Sequence, residues 1–301
     1  MCDDLKAGPA IKSSQPVSEG MGHGGTRWFD LRDMETGTVR RIYLWCPKGD
    51  MPENGWPVLF LVDGNAVIAT AVDAMRAQAP YPSGTGLEWG ALVAIGYPTD
   101  EAYDPLQRSW DLSPPPGRTY PPFWDGTPEA RTGGSAELSQ FICEDVFAFL
   151  ATQIRLDPSR RGLFGHSFGG LFALWMLFNR QDAFTHWIAA SPSITWEDSS
   201  LLTSRNTFTP SGQASTVHLS AGQWEGDELA PFQRDAADAD TRLASKARDR
   251  TFSASQEMAN YLDRLPGFSV TLQTYSGETH MSVLPVAVNR ALHCLFGVRS
   301  L

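Results

Sequence analysis

The sequence is short of the features that would take it to a membrane, a nucleic acid or a metal ion. No apolar run approaches the ~18 residues that a membrane-spanning helix needs. No Lys/Arg stripe interrupts a balance of 24 basic against 34 acidic residues. The resulting formal charge of −10 repels phosphate backbones and anionic bilayers, which excludes nucleic acid and membrane as expected partners. Cys2, Cys46, Cys143 and Cys294 have neither CxxC nor zinc spacing, and Cys46 and Cys294 sit in apolar segments, so buried free thiols are expected. The opening Met1-Cys2-Asp3-Asp4-Leu5 lacks an apolar signal core, and the expected compartment is the cytoplasm. The periplasm is the alternative if an export segment has been removed ahead of Cys2.

What is present suits a large core. Apolar residues make up 42% of 301 positions, with ten Trp and sixteen Phe, and charged residues 19%, as in a globular domain. Residues 1–21 are rich in Ser, Pro, Gly and Lys and aperiodic, so a flexible tail is expected there, followed by a single catalytic domain over 22–301. Strands are predicted at Thr26–Leu31, Arg40–Cys46, Val58–Val62, Ala91–Ile95, Gly162–Phe164, Trp187–Ala190, Thr216–Ser220 and Ser269–Tyr275. Helical spacing is predicted at 66–76, 135–154, 168–180, 253–264 and 282–296.

The runs Val58–Val62 and Ala91–Ile95 are apolar without alternation, as in strands covered on both faces. The first two strands, joined by Met34-Glu35-Thr36-Gly37, read as an antiparallel edge hairpin. This order predicts an α/β-hydrolase fold: a mostly parallel sheet of about eight strands, helices on both faces and no large cap domain. Ligands of such sheets bind beyond the C-terminal strand ends, which directs attention to the loops starting at Asp63, Gly96, Gly165, Ser191, Gly222 and Ser276. The Pro- and aromatic-rich loop 97–134 is expected to wall a pocket without regular structure, and 223–252 to be a solvated surface excursion.

One strand end carries Gly165-His166-Ser167-Phe168-Gly169-Gly170, followed by the apolar run Leu171 to Phe178. A G-x-S-x-G string between a strand and a buried helix forces a sharp turn that lifts the serine hydroxyl above the sheet, so Ser167 is the candidate nucleophile. A serine needs a base, and the base an acid to orient it. His280, between the last strand and the last helix, lies where this fold presents its base. His166, His186 and His218 are expected to be structural, His293 falls within the final helix, and Gly22-His23-Gly24-Gly25 imitates an oxyanion motif but precedes the sheet. Glu225 is the first carboxylate after Thr216–Ser220 and the candidate acid, with Asp227, Glu228, Glu197 and Asp198 as alternatives. Oxyanion donors are expected from the N–H of Phe168 and that of Gly64 or Asn65, in a segment that also reads as an ordinary helix-capping turn. No metal or organic cofactor is required by this chemistry.

The strings Leu61-Val62-Asp63-Gly64-Asn65-Ala66, Gly165 to Phe172, Ala190-Ser191-Pro192-Ser193 and Gly277-Glu278-Thr279-His280-Met281-Ser282-Val283 resemble the esterase-D-like α/β-hydrolases, and among them the siderophore (enterobactin-type) trilactone esterases. The resemblance spans about residues 26–298. It implies hydrolysis of a small-molecule ester, a ferric catecholate trilactone or related ester siderophore, with iron arriving as part of the substrate. It also implies that Arg108 faces substrate, although the residues alone equally allow a salt bridge with Asp111 or another acid. Trp196, taken as substrate-facing, stands alone where relatives carry paired tryptophans, a departure that implies a different pocket wall. Gln223 departs from the acid that many relatives carry in this segment. The same triad would serve feruloyl, acetyl-sugar or thioester substrates such as S-formylglutathione.

Overall fold

The computed structural model describes residues 15–298; Cys2 and residues 1–14 of the expected tail lie outside that range. The strands are β1 Ser18–Met21, β2 Arg27–Arg32, β3 Val39–Trp45, β4 Trp56–Val62, β5 Ala91–Gly96, β6 Thr119–Tyr120, β7 Ala130–Arg131, β8 Leu156–His166, β9 His186–Ala190, β10 Ser215–Gly222 and β11 Phe268–Tyr275. Nine of them form one sheet in the order β1-β2-β3-β5-β4-β8-β9-β10-β11. β1, β2, β3 and β5 pair antiparallel, and every pair from β5 to β11 is parallel. This is the α/β-hydrolase fold.

The unbroken apolar strands follow from burial on both faces. Along β4, Val58, Phe60 and Val62 enter one core, whereas Leu59 and Leu61 enter the other. β5 divides likewise, with Ala91, Val93 and Ile95 on one side and Leu92 and Ala94 on the other. Each fully buried Leu, Val or Phe here contributes about 1.5–3 kcal/mol of transfer free energy. Helices α1 Gly64–Gln78 and α8 Val283–Phe296 cover one face. The opposite face is covered by α5 Phe168–Asn179, whose residues from Gly169 to Phe178 are all buried, and by α3 Ser135–Phe141 and α4 Phe147–Gln153.

Several expectations change. The tail ends earlier than residue 21, because β1 pairs with β2 from Ser18↔Asp30 to Met21↔Arg27 and Gly20 lies flat against the Trp28 ring. The sheet therefore has nine strands where eight were expected. The helix predicted at 135–154 is divided by a π turn, Ile142–Val146. The loop 97–134 is not irregular throughout: it holds α2 Pro105–Asp111 and the β6/β7 hairpin. A buried ion pair fixes α2 to the sheet, since Arg40 on β3 donates to both Asp111 carboxylate oxygens at 2.8 and 2.7 Å. The excursion 223–252 also contains a helix, α6 Ala239–Asp249, which runs into α7 Thr251–Leu262. Cys46, Cys143 and Cys294 are free thiols whose burial pushes their pKa values up, to about 11 for Cys46.

Candidate active site

The C-terminal ends of the parallel strands converge as the topology requires, and the sharpest turn is at Ser167. Its φ of 58° and ψ of −115° are strained for a side-chain-bearing residue. The turn closes only because its flanks lack side chains. A Cβ at Gly165 would run into the Gly169 carbonyl, and one at Gly169 would lie 2.8 Å from Val62 Cγ2. Ser167 Oγ stands 3.0 Å from His280 Nε2, and His280 Nδ1 stands 2.6 Å from Glu225 Oε2. The three residues come from β8, β11 and β10 ends and meet across more than a hundred residues of chain.

Glu225 is buried and held on its other oxygen by Ser191 Oγ at 2.5 Å and the Gly222 N–H at 2.7 Å. Burial by itself would raise the carboxyl pKa. The hydrogen bond and charge of His280, with the Ser191 and Gly222 donors, outweigh it and hold the group below its ordinary value. The alternative acids lie elsewhere. Glu197 Oε1 accepts from Tyr120 OH and Thr132 Oγ1, Asp198 pairs with Arg118, Glu228 pairs with Arg234, and Glu225 holds the His280 Nδ1 position that Asp227 would need.

Sequence reasoning missed three supports of this chain. Ser191, in the left-handed region at φ 45°, carries the hydroxyl that fixes Glu225. Gln223 accepts at Oε1 from the Gly277 N–H at 2.8 Å and so ties down the loop bearing His280, which gives a use to the residue that departed from the acidic pattern. His166 does not merely point away: its Nε2 lies 2.7 Å from the His280 carbonyl and its ring 4.8 Å from the His280 ring. Burial first, and the neighbouring His280 second, lower its pKa to about 4, so it stays neutral at physiological pH. The other histidines lie apart from Ser167, with His23 on Asp73 of α1 and His218 between Thr271 and Tyr275.

The expected oxyanion donors lie at two adjoining helix starts. Phe168 opens α5, and Gly64 and Asn65 open α1, positions whose amides have no intrahelical acceptor. The Asn65 side chain is used in the scaffold: it donates to the Tyr97 and Thr99 carbonyls and accepts from the Tyr97 N–H at 2.9 Å. Asp63, immediately before Gly64, is left-handed at φ 54° and is gripped by Arg108, whose Nε and Nη2 donate to its two oxygens at 2.9 Å each. The Arg108 partner is thus Asp63, not Asp111, which Arg40 occupies. Arg108 also lies 5.4 Å over the Phe168 ring and 5.1 Å over Tyr103.

Two cavities open on Ser167. The larger, about 770 Å³, lies on the His280 side; Trp196 walls it, set edge-on to Phe168 at 4.6 Å, and α6 contributes Arg242, Ser245 and Lys246. The excursion 223–252 stays at the surface as expected over α6, none of whose residues is buried, and one side of α6 also lines this cavity. The smaller, about 650 Å³, is walled by Tyr103, Pro105, Arg108 and Trp124 of the 97–134 segment. Among the described residues no cluster of His, Cys, Asp or Glu has the grouping of a metal site, and no helix is long and apolar enough to cross a membrane.

The family model described as "Putative esterase" matches residues 34–263. The chain belongs to this esterase family. The esterase is 31% identical over 255 residues to the ferri-bacillibactin esterase BesA of Bacillus subtilis, covering 83% of this chain and 82% of that one. It is 33% identical over 257 residues to the siderophore triacetylfusarinine C esterase of Aspergillus fumigatus, covering 80% and 81%. Its fold is similar to that of the siderophore hydrolase EstA from Aspergillus nidulans, with a TM-score of 0.75, 31% identity and coverage of 91% and 95%.

Proposed function

We propose that this esterase is a serine hydrolase that cleaves ester bonds of a siderophore and so frees its iron. The observation that carries the chemistry is the hydrogen-bonded chain from Ser167 Oγ through His280 to the buried Glu225. The siderophore substrate is supported by relatives named for bacillibactin and triacetylfusarinine C.

His280 Nε2 takes the Ser167 proton as Oγ attacks the ester carbonyl carbon. Glu225 keeps the Nδ1 proton directed at itself, which leaves Nε2 free to accept, and its charge stabilises the imidazolium that forms. The carbonyl oxygen becomes an oxyanion that the Phe168 N–H and the Gly64 or Asn65 N–H receive. The C–O bond to the alcohol then breaks, and His280 returns its proton to the departing oxygen. Water, deprotonated by the same histidine, hydrolyses the acyl-Ser167 and regenerates the hydroxyl. Iron enters and leaves as cargo of the substrate.

Ser167→Ala should lower turnover by about a millionfold, leaving what the oxyanion donors and binding alone supply. The measurement is hydrolysis of ferric trilactone siderophores beside p-nitrophenyl acetate, with products followed by mass. Unchanged turnover in the variant would defeat the assignment of Ser167.

A further inference from the structure

The segment that follows β9, Ser191-Pro192-Ser193, touches both ends of the triad. Ser191 Oγ holds Glu225. Ser193 places its own Oγ 3.4 Å from Ser167 Oγ, and the proposed mechanism gives that hydroxyl no part. Its placement is set by backbone. The Ser167 N–H donates to the Ala190 carbonyl at 3.0 Å, and the Ser193 N–H donates to the Ser167 carbonyl at 3.2 Å, so the two serines are tied where β8 and β9 end. The Trp196 N–H in turn donates to the Ser193 carbonyl at 3.1 Å. Ser193 is half-buried in the wall of the larger cavity, and its hydroxyl has no other hydrogen-bond partner among the described residues.

The direction of the contact follows from counting protons. Ser167 has one, and its productive partner is His280 Nε2 at 3.0 Å. Ser193 is therefore the donor and Ser167 Oγ the acceptor. At 3.4 Å the bond is long, as catalytic hydrogen bonds often are before substrate fills a site. The sheet order decides which oxygen it serves. β8 lies between β4, whose end leads to Gly64 and Asn65, and β9, whose end leads to Ser193. Ser193 thus stands across Ser167 from those amides, on the side of β10 that brings Glu225, and the oxygen within its reach is that of the nucleophile. Negative charge grows on this oxygen as the Ser167 proton passes to His280, and again when Oγ leaves the acyl group.

We infer that Ser193 is a further catalytic residue of this esterase: its hydroxyl donates to Ser167 Oγ and stabilises the charge that Oγ carries while its bond to the acyl carbon forms or breaks. Ser193 keeps its own proton throughout. The Ser167 proton still goes to His280, and no covalent bond to Ser193 is made. The inference rests on Ser167 being the nucleophile and adds a donor to that reading.

The test compares the wild-type protein with Ser193→Ala, Ser193→Thr and Ser167→Ala in two reactions that need no siderophore. One is hydrolysis of p-nitrophenyl acetate. The other is inactivation by diisopropyl fluorophosphate, in which the Oγ–P bond forms, fluoride leaves and His280 takes the proton. Loss of one hydrogen bond to an oxygen gaining charge predicts a fall of about tenfold in kcat/KM for Ser193→Ala, and a similar fall in the inactivation rate. The midpoint of the pH–rate profile should not move, because Ser193 touches neither His280 nor Glu225. Ser193→Thr keeps the hydroxyl and should stay within about threefold of wild type. Melting curves that match wild type exclude a structural cause. Equal rates in wild type and Ser193→Ala would overturn the inference and leave Ser167 as the nucleophile. So would a loss confined to KM on a ferric trilactone, with both small reagents reacting as before, since Ser193 would then be a substrate contact only. Ser167→Ala reacting as fast as wild type would defeat the reading on which the inference rests.

Discussion

Arg108 is a cation with its charge already spoken for. Its planar fork matches both oxygens of Asp63, and its guanidinium lies over Phe168 and Tyr103, so it joins the two backbone segments proposed to carry the oxyanion donors. We propose that it acts as a positioning residue. Arg108→Lys keeps the charge and loses the fork; kcat should fall by about 10- to 100-fold with KM little changed, since a displaced oxyanion donor costs transition-state stabilisation. Steady-state kinetics on the small ester reads this split. A rise confined to KM would instead make Arg108 a substrate contact. The sequence carried both possibilities for this arginine and no means to choose, because its partner is 45 residues away and becomes adjacent only when α2 is anchored by the Arg40–Asp111 pair.

At the scale of elements, the β8–α5 turn is the part most fully written in local sequence. Gly165 and Gly169 are required by contacts within the turn itself, and the all-apolar α5 announces a helix buried on every side. Gly165→Ala should therefore cost about 3–5 kcal/mol by forcing Cβ against the Gly169 carbonyl, a fall of roughly 5–8 °C in Tm for a chain of this size. Thermal unfolding followed by circular dichroism measures it, and an unchanged Tm would mean that the turn can relax. Elements outside the main pattern were less legible. α6 reads as polar on all sides because no residue of it is buried; its partner is the open cavity, which periodicity cannot reveal. β1 has too few residues for an alternating pattern and is a strand only because the edge of β2 supplies hydrogen bonds.

Across the whole molecule, two buried histidines tie stability to pH. Burial is the first cause that lowers His166 and His218 from 6.5 to about 4. The unfolded chain takes up these protons near 6.5 and the folded protein only near 4, so acidification through that window favours unfolding. The slope is up to about 1.4 kcal/mol per pH unit for each group, and it levels off below pH 4. Glu225, held below its ordinary value, adds a stabilisation that is complete above the carboxylate range and lost as pH falls through it. Tm measured from pH 7 to 4 should fall steadily, and His218→Gln should flatten the slope by about half while leaving turnover intact, since His218 lies apart from Ser167. A wild-type Tm constant over that range would refute the linkage.

Local sequence by itself determined the parallel sheet, the serine turn and the chain order of nucleophile, acid and base, with Ser167 at its start and His280 at its end. These depend on short-range sterics and on burial on both strand faces, which leave periodic traces. Only the tertiary structure decided which carboxylate meets His280, which acid holds Arg108 and what the 223–252 segment faces. Those are meetings between strand ends far apart in the chain, and hydrogen-bond partners at such distances are chosen by the packing of the sheet rather than by any residue's neighbours.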